Sequence, residues 1–494
     1  MSEQEGLPRG WAWATLEELC EINPKHAGDH ADTLPVSFVP MAAVDEQSGE
    51  ITAAVERLYG EVRKGYTHFA DGDVLWAKIT PCMENGKAAV ARGLTNGIGC
   101  GTTEFFVLRS RGAVLPEYLH RFMRQTSYRT AARRTMQSGV GQARVPKEFI
   151  ENTRLPVPPL AEQHRIVAKL DALLVSSRVA REALDVVPTL LDQYGRSVLS
   201  AAFRGDLTAD WRATRPTSEQ DADTVLRKVA LAREEEWRVA QARGTYQPTD
   251  DDKQGPFCLP LTWRWASLEQ LTSAVASICY GVVQPGEECP GGVPLIRVCD
   301  VDGGQVLESA LRTIAPHVDA EYTRSRLHGG EVLVTVVGTI GRVAVAPATV
   351  AGANIARAVA RLRPVAPVAP EWIAHALMTP EAQTVLTRES REVARKTLNV
   401  GSLAQVLVPV APADEMREIL RRVTLYLVSR ERQREAVISA RAHVDQLEQS
   451  ALAKAFRGEL VAQDPIEEPA SAVLARAERT APARATRRRA LARA

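Results

Sequence analysis

The sequence lacks the short motifs that equip a chain for catalysis or for tight metal binding. Its 494 residues contain no GxxxxGK[ST] phosphate loop, because Asn85-Gly86-Lys87 has neither the upstream glycine nor a following serine or threonine. HExxH and paired CxxC motifs, which hold zinc, are also missing, as is an Asn-Pro-Pro-Tyr segment of the methyltransferase type. The sequence therefore predicts no ATP hydrolysis, no metal site and no catalytic residue in this chain.

Paired cysteines and long apolar runs are also missing. The longest apolar tract, 332–360, is interrupted by Arg342, Asn354 and Arg357, so it predicts strands rather than a membrane span. No secretory signal precedes the cysteines, which are odd in number and indicate reduced thiols in a cytoplasmic protein. These seven residues are Cys20, Cys82, Cys100, Cys258, Cys279, Cys289 and Cys299.

A large net charge is absent as well, since the chain carries only +1, but the average hides a local imbalance. Between Arg57 and Lys147 there are 15 lysines and arginines against 6 acidic residues, and acidic stretches at 217–223 and 250–252 offset them elsewhere. Such a surplus suits a phosphate backbone. A solvated basic face explains the charge equally well, and both interpretations stay open on charge alone.

What the sequence does contain is a tandem duplication. The stretch 191–207 returns at 444–460 with an offset of 253 residues, and the stretch 7–17 returns at 259–269 with an offset of 252. Between them the copies drift, because 72–75 matches 330–333 only at an offset of 258. Each copy thus has a divergent globular part and a closely repeated arm, as expected for two sites of different specificity on one frame.

Each globular part has the pattern of a mixed α/β domain. Short β-prone segments bounded by Gly, Pro or Asp are followed by one helix, near 116–134 in the first copy and 371–388 in the second. The strands are predicted at 35–40, 74–77, 88–91 and 104–108, and again at 294–298, 331–336 and 342–345.

Each arm predicts a helix of about 40 residues, which extends about 60 Å. With Ile166 at heptad position a, Leu173 and Tyr194 fall at a and Leu170 and Leu184 at d, the pattern of a helix packed along a partner helix. Ordinary core packing of an amphipathic helix is the alternative, although the length weakens it. Pro188 predicts a local kink in the first arm.

The arms are joined by a bridge and followed by a tail. The bridge combines a charged surface helix at 221–243 with a linker at 245–256, and the Ala/Arg-rich tail from Glu467 onward predicts disorder. The predicted domains are a first recognition domain 1–157, a central arm 158–207, the bridge 208–258, a second recognition domain 259–410, a C-terminal arm 411–461 and the tail 462–494.

Several of these segments together resemble the DNA specificity subunit of type I restriction-modification systems. The resemblance covers about 1–465 and is carried by Leu7-Pro8-Arg9-Gly10-Trp11, by 72–81, by the proline-rich entry 156–166 with Glu162-Gln163, and by the twice-used Ala-Phe-Arg-Gly ending. The second copy departs from the pattern, with Ala411-Pro412-Ala413-Asp414-Glu415-Met416-Arg417 in place of the first entry.

The resemblance implies both a fold and a function. The fold is of the mixed α+β class, with two globular α/β target-recognition domains separated by two long antiparallel coiled-coil-like helices in a pseudo-twofold tandem arrangement. Each recognition domain would read one half of a bipartite double-stranded DNA site, and the helices would set the spacer. Modification subunits would bring S-adenosylmethionine, while restriction subunits would bring ATP and magnesium, so this chain itself would be non-catalytic.

Candidate DNA contacts are polar residues in predicted loops, where amide and cationic side chains suit base edges or phosphates. Turns with exposed polar residues are the alternative for each. In the first domain they are Lys78, Asn85, Lys87, Lys147 and, in the Gly-rich loop 138–144, Gln142 and Arg144, the two favoured for base readout. In the second domain they are Gln284, Thr339, Arg342, Asn354, Arg357, Lys396 and Asn399.

Two other functions stay open beside DNA reading. A coiled-coil scaffold without sequence-specific readout would need only the duplicated arms, but it would not explain the basic surplus and the paired divergent domains. An enzyme fused to arms is disfavoured by the missing motifs.

Overall fold

A computed structural model describes residues 6–138, 142–214, 221–242, 246, 253–389, 391–393 and 395–480, and its contacts divide the chain into two compact units. Unit 1 comprises 1–185 and 438–494, and unit 2 comprises 186–437. Each unit therefore contains one globular part and portions of both long helices. Among the described residues, no helix has the length and apolar character that a membrane span requires.

The globular part of unit 1 mixes short strands and short helices. Its strands are β1 (Ala12–Thr15), β2 (Cys20–Ile22), β3 (Pro35–Val39), β4 (Val55–Leu58), β5 (Thr67–Ala70), β6 (Val74–Ala77), β7 (Ala88–Val90), β8 (Ile98–Gly101), β9 (Phe105–Ser110), β10 (Gln137–Ser138), β11 (Ala143–Arg144) and β12 (Arg154–Val157). Its helices are α1 (Leu16–Leu19), α2 (Tyr59–Val62), α3 (Pro116–Met123), α4 (Thr126–Thr135) and α5 (Lys147–Asn152).

These strands form two four-stranded sheets and two pairs. One sheet has the order β2-β9-β6-β7 and is antiparallel, and the other has the order β4-β3-β8-β5 with β3 and β8 parallel. β1 pairs with β12, and β10 pairs with β11. Strand β6 contributes four buried residues, including Trp76, because both of its faces are covered.

Unit 2 repeats this plan. After the first long helix α6 (Leu160–Arg204) come α7 (Ala209–Ala213) and α8 (Ala222–Val239). The strands are β13 (Arg264–Ser267), β14 (Cys279–Tyr280), β15 (Val293–Ile296), β16 (Val301–Asp302), β17 (Gln305–Val306), β18 (Arg312–Ile314), β19 (Val332–Thr335), β20 (Val343–Val345), β21 (Asn354–Ile355), β22 (Val359–Leu362), β23 (Arg391–Val393), β24 (Arg395–Thr397) and β25 (Leu407–Val410). The helices are α9 (Leu268–Leu271), α10 (Pro316–Glu321), α11 (Pro370–Leu377), α12 (Pro380–Arg388) and α13 (Val400–Ala404), followed by the second long helix α14 (Ala413–Ala455) and α15 (Ala470–Thr480).

The sheet orders of unit 2 correspond to those of unit 1. The order β14-β22-β19-β20 matches β2-β9-β6-β7, and β18-β15-β21 matches β4-β3-β8 with the same parallel pair. The first strand of each globular part again pairs with the last, β13 with β25. The predicted mixed α/β class and duplication are confirmed.

The single helix predicted in each globular part is two helices. In unit 1, α3 ends at Met123 and α4 begins at Thr126; in unit 2, α11 ends at Leu377 and α12 begins at Pro380. The break in unit 2 has a local cause, because Thr379 caps the backbone N–H of Ala382 and Pro380 occupies the first helical position.

The two long helices run antiparallel within each unit. In unit 1, Arg181 contacts Asp445 at 2.7 Å while Asp185, four residues later, contacts Arg441, four residues earlier. In unit 2, Arg434 contacts Asp192 at 2.5 Å and Tyr426 stacks edge-on against Tyr194, with ring centroids 5.4 Å apart. Helix α6 continues through Pro188, which lies inside it.

The inner face of α6 differs from the predicted heptad seam. The d positions Leu170, Leu184 and Leu191 are buried or half-buried as expected. The a positions Leu173 and Tyr194 are exposed, and the next residue along, such as Gly195, turns inward instead. The prediction for the a positions is confirmed in part, because Ile166 is fully buried and Tyr194 contacts Tyr426 of the other long helix. Leu173 is exposed, and ion pairs also join the two helices.

The twice-used Ala-Phe-Arg-Gly segment anchors a helix end in a core. In unit 1, Phe456 packs against Tyr118, with ring centroids 4.9 Å apart, and in unit 2 Phe203 packs against Trp372 at 4.7 Å. The glycine that follows has a positive φ, +85° at Gly205 and +73° at Gly458. A Cβ there would approach Pro260 or Pro8 to 2.6 or 2.4 Å, which explains why glycine is repeated beside the Leu-Pro start of each copy.

The tail is not wholly disordered as predicted. Helix α15 buries Ala470, Val473 and Ala477 in the core of unit 1, and the backbone N–H of Ala470 donates to the carbonyl oxygen of Gly10. These three residues follow a helical three-and-four spacing that the Ala/Arg-rich composition concealed. Residues 481–494 lie outside the described residues.

The bridge helix α8 is not only a surface helix. Asp221 caps its N-terminus by accepting from the backbone N–H of Thr224 at 2.9 Å, and Ala222, Val225 and Val229 pack into the core of unit 2. Most of the predicted linker lies outside the described residues, but Lys253 forms a β-bridge with Trp265.

Candidate nucleic-acid interface

In unit 1 the candidate contacts lie where a turn meets a hairpin. The turn 78–87 connects β6 to β7, and the hairpin 137–144 joins it through a β-bridge between Ile79 and Arg144. The Thr80 hydroxyl accepts from the backbone N–H of Ala143 at 3.2 Å and fixes the contact. The turn and hairpin, together with 145–147, are called the turn–hairpin surface of unit 1.

Unit 2 builds the same arrangement with different residues. The turn 336–342 connects β19 to β20, and the hairpin 391–397 joins it through a β-bridge between Val337 and Thr397. Buried Thr335 holds the turn, because its hydroxyl donates to the carbonyl oxygen of Thr339 at 2.6 Å and accepts from the N–H of Arg342 at 2.9 Å. The turn and hairpin, with 398–399, are the turn–hairpin surface of unit 2.

The two lysines of the turn in unit 1 are partly exposed. Lys78 places its ammonium 5.4 Å from the centre of the Phe106 ring, and the Lys87 ammonium donates to the carbonyl oxygen of Met41 at 3.3 Å. Neither lysine forms an ion pair with another described residue. Both therefore retain a charge that a phosphate can use.

Asn85, at the exposed tip of the same turn, donates from Nδ2 to Glu46 at 3.0 Å. Its amide can therefore bind a ligand only when this surface hydrogen bond to Glu46 breaks. The neighbouring Arg129, which the sequence did not single out, donates to the carbonyl oxygen of Glu84 at 2.5 Å and steadies the turn.

Arg144, favoured for base readout, is held by a carboxylate. Its Nε and Nη2 donate to Glu104 at 3.0 and 2.9 Å, and the hydrogen bonds with Glu104 raise the pKa of Arg144. The side chain remains about half exposed, so a phosphate or guanine can compete for it. Lys147 similarly pairs with Glu151 at 2.5 Å, whereas Gln142 is exposed at the edge of the hairpin.

In unit 2, Thr339 and Arg342 line a shallow cavity of about 460 Å³. Arg342 lies 3.7 Å from Asp302 and donates to the carbonyl oxygen of Val301 at 3.3 Å. Arg297, which the sequence reasoning missed, lines the same cavity and pairs with Asp300 at 3.0 Å. The sequence placed Arg297 inside the predicted strand 294–298, whereas β15 ends at Ile296 and Arg297 directly follows it.

Two further candidates of unit 2 lie beside each other. Gln284 and Arg357 are both exposed, and the backbone N–H of Arg357 donates to the carbonyl oxygen of Val282 at 2.8 Å, so their segments adjoin. Lys396 belongs to β24, but its side chain is not among the side chains that the structure describes. Asn399 is exposed, and its side-chain Oδ1 caps α13 by accepting from the backbone N–H of Ser402 at 2.7 Å.

The expectation that Asn354 lies in a loop is wrong. Asn354 is in strand β21 and is fully buried, because its amide completes an internal network. Its Nδ2 donates to Asp319 at 2.8 Å and to the carbonyl oxygen of Tyr322 at 3.1 Å, while its Oδ1 accepts from Ser325 at 2.6 Å. A satisfied buried amide has a structural role here.

Comparisons with known proteins agree with this geometry. Residues 8–178 match the family model described as the type I restriction modification DNA specificity domain. The EcoBI specificity subunit of Escherichia coli is 37% identical over 321 residues, 65% of this chain and 61% of that protein. The EcoEI specificity subunit of Escherichia coli is 30% identical over 385 residues, 69% of this chain and 63% of that protein. The chain thus spans less than two thirds of the length of these relatives.

Two solved structures share the fold. A chain from a study of complex assembly and conformational transition of the type I R-M system has a TM-score of 0.65 at 22% identity, covering 92% of this chain and 99% of that one. The HsdS subunit from Thermoanaerobacter tengcongensis has a TM-score of 0.57 at 22% identity, covering 93% and 100%.

These findings show that the chain is similar to DNA specificity subunits and that its fold is a duplicated α/β frame. Residues 8–178 match the type I restriction modification DNA specificity domain, and the resemblance of the chain to type I specificity subunits is confirmed.

Proposed function

We propose that this chain is the sequence-specific DNA-binding specificity subunit of a type I restriction-modification complex. Each turn–hairpin surface reads one half of a bipartite double-stranded target, and the long helices set the spacer between the halves. The single observation that carries the proposal is that one scaffold is built twice with different polar side chains on the equivalent turn and hairpin.

The side chains on the two surfaces suit different readout. Unit 1 presents Lys78, Lys87, Gln142 and Arg144, and glutamine recognises adenine while arginine and lysine recognise guanine or phosphate. Unit 2 presents Thr339 and Arg342 beside a cavity, with different hydrogen-bonding capacity. Two surfaces that differ in this way would give an asymmetric target, since each half-site would be selected independently.

The long helices supply a surface for partner subunits. Large apolar side chains on them are exposed, including Val179, Ile438 and Leu447 in unit 1 and Leu190 and Leu425 in unit 2. Exposed apolar side chains in number favour protein partners. The partners proposed are modification subunits, which bind S-adenosylmethionine, and restriction subunits, which use ATP and magnesium, while this chain acts in the cytoplasm and performs no chemistry.

A scaffold without sequence readout is the competing function, and selection on random duplexes separates the two. The purified chain with its modification subunits would be mixed with duplexes carrying random sequence, and the bound fraction sequenced. The proposal expects enrichment of two short motifs at a fixed separation. Uniform recovery of all sequences would leave only the scaffold.

The spacer role has its own test. Helix α6 is 45 residues long and therefore extends about 68 Å. Four residues inserted after Ala180 lengthen it by about 6 Å, or one to two base pairs at about 3.4 Å each. Methylation-site mapping should show a lengthened spacer with both half-sites intact, even if the rotated packing lowers affinity. Activity with an unchanged spacer would remove the helices from this role.

A further inference from the structure

Three segments of unit 1 bring two histidines and a cysteine together at the small sheet β4-β3-β8-β5. His68 in β5 and Cys100 in β8 are directly opposed across the antiparallel pair, so both side chains lie on the same face of the sheet. His26 reaches this face from the segment between β2 and β3. A ligand atom from each of the three residues lies within 4.8 Å of the other two.

The hydrogen bonds of the two imidazoles leave one nitrogen of each for a ligand. Nε2 of His68 lies 2.8 Å from the carbonyl oxygen of Arg63, and Nε2 of His26 lies 3.0 Å from the carbonyl oxygens of Phe69 and Gly99. A carbonyl oxygen can only accept, so each Nε2 carries the proton and each Nδ1 carries the lone pair. A histidine that binds a metal through one ring nitrogen usually donates a hydrogen bond from the other, often to a carbonyl oxygen, and this bond fixes the orientation of the ring.

The lone pair of His68 lacks a partner. Its Nδ1 is buried and accepts no hydrogen bond from a described residue, an arrangement that costs free energy when nothing fills it. The Nδ1 of His26 has only the Tyr59 hydroxyl, 3.4 Å away. The two rings are stacked, with centroids 4.4 Å apart, and the Cys100 thiol beside them is fully buried. A buried acceptor without a partner, beside a histidine and a thiol, points to a cation.

We propose that His26, His68 and Cys100 bind a zinc ion. Two imidazole nitrogens and one thiolate are the ligands that zinc prefers, and its fourth tetrahedral position would be taken by water or by His30, whose ring centroid lies 5.9 Å from that of His26. Ligand atoms around zinc lie roughly 3.3–3.8 Å apart, and zinc lies in the plane of each imidazole that binds it, so binding requires the two stacked rings to turn out of their parallel arrangement. Binding releases the thiol proton of Cys100 to solvent.

The ligand set also narrows the choice of metal. Calcium and magnesium take oxygen ligands, whereas a nitrogen and sulfur set selects a softer ion. Unit 2 has no such set among its described residues. At the corresponding strand it has Asn354, hydrogen-bonded to Asp319 and Ser325, so the same small sheet is tied together there by a polar network. The zinc site would be the equivalent tie in unit 1. The inference does not depend on the proposed function.

The test measures metal in the full-length chain. After chelation and dialysis against buffered micromolar zinc, the wild-type chain should retain one zinc per chain by mass spectrometry. Cys100→Ser and His68→Asn should retain less than a tenth of that. Cys20→Ser is the matched control, because Cys20 is a buried free thiol of the same unit outside the cluster, and it should retain the full amount.

A second measurement guards against variants that fail to fold. Cobalt(II) added to the wild-type and Cys20→Ser chains should produce a thiolate-to-cobalt charge-transfer absorption, and zinc should abolish it. Absence of that absorption in the folded wild-type chain would overturn the proposal. So would zinc retention in Cys100→Ser equal to that of the wild type.

Discussion

Where each globular part meets a long helix, the two units place a glutamate against a tryptophan indole but satisfy the carboxylate differently. In unit 2, Glu415 accepts from Trp263 at 2.9 Å, and its other oxygen accepts from Thr208 at 2.7 Å and from Arg212. In unit 1, Glu162 accepts from Trp11 at 3.0 Å. Its Oε1 is buried without a hydrogen-bond partner among the described residues.

The residue after each glutamate differs as well. Gln163 is fully buried, accepts from the backbone N–H of Leu115 at 2.8 Å and donates to the carbonyl oxygens of Ala113 and Pro158. Its counterpart Met416 lies in the apolar core of unit 2. Glu162-Gln163 and the corresponding Glu415-Met416 are all buried within their own units. Both pairs therefore stabilise the packing inside a unit. The repeated frame tolerates different chemistry at equivalent positions.

The largest expected effect is the loss of stability when an anchoring phenylalanine is truncated, and each truncation should act on a different unit. Phe203→Ala should destabilise unit 2 and Phe456→Ala unit 1, each by about 3–5 kcal/mol, because a buried aromatic side chain is lost from a core. Hydrogen exchange resolved by peptide would locate the loss. Equal loosening of both units by either variant would contradict separate anchoring.

The two buried glutamates should respond unequally to the same substitution. Glu415→Gln should cost about 1.5–3 kcal/mol, because the hydrogen bonds from Thr208 and Arg212 go to a charged group. Glu162→Gln should cost about 1 kcal/mol or less, because one of its oxygens has no described partner to lose. Urea unfolding of the two variants side by side measures the difference, and a larger loss for Glu162→Gln would reverse the comparison.

Substitutions of Asn354 and Gln142 should distinguish an amide that stabilises the fold from an amide that contacts DNA bases. Asn354→Ala should lower the free energy of unfolding of unit 2 by about 1–3 kcal/mol and leave the target sequence unchanged. Gln142→Ala should leave stability unchanged and weaken binding to cognate DNA by about 1–3 kcal/mol, while binding to nonspecific DNA stays unchanged. Binding titrations on cognate and scrambled duplexes, with thermal unfolding, check both. A uniform loss for Gln142→Ala would assign it to phosphates.

The smallest expected effect is a pH dependence of opposite sign in the two units. Burial raises the pKa of Glu162 above its ordinary 4.5, so its contribution is fully present below about pH 4.5 and is lost as the pH rises through the raised value. Burial alone would raise the pKa of Asp319, but hydrogen bonds from Arg326 and Asn354 hold it below its ordinary 3.8. Its contribution is present above pH 3.8 and is lost as the pH falls through the lowered value.

The difference between wild type and Glu162→Gln, and between wild type and Asp319→Asn, isolates each group. Hydrogen exchange of β1 and of β21 as a function of pH should therefore change in opposite directions relative to the variants. The same sign in both units would contradict the assignment of these two carboxyls.

The sequence predicted the frame well because the frame is repeated. Trp11 and Trp263, and Gly205 and Gly458, recur at nearly constant offsets, and a repeat identifies positions whose packing partners recur with them. The heptad seam was predicted only in part, because Tyr194 does contact the other long helix but Leu173 is exposed, and the ion pairs that also join the helices, such as Arg181–Asp445, are not part of an apolar period.

The candidate site was predictable only in part. Lys78 and Arg144 were named from separate loops, but their segments are brought together by the β-bridge between Ile79 and Arg144, which are 65 positions apart in the sequence. The pairing of Arg144 with Glu104 and the burial of Asn354 likewise depend on distant partners, which composition and spacing do not encode. Cys100 opposite His68 belongs to the same class of long-range pairing.

The central claim is that each unit reads its own half of the target. Its most direct test replaces 1–157, which keeps β1 with its partner β12, by the corresponding part of a relative of known target, and maps methylated sites of the assembled complex by genome sequencing. The account predicts that one half-site changes to that of the relative while the other half-site and the spacer persist. Alteration of both half-sites, or of neither, would contradict it.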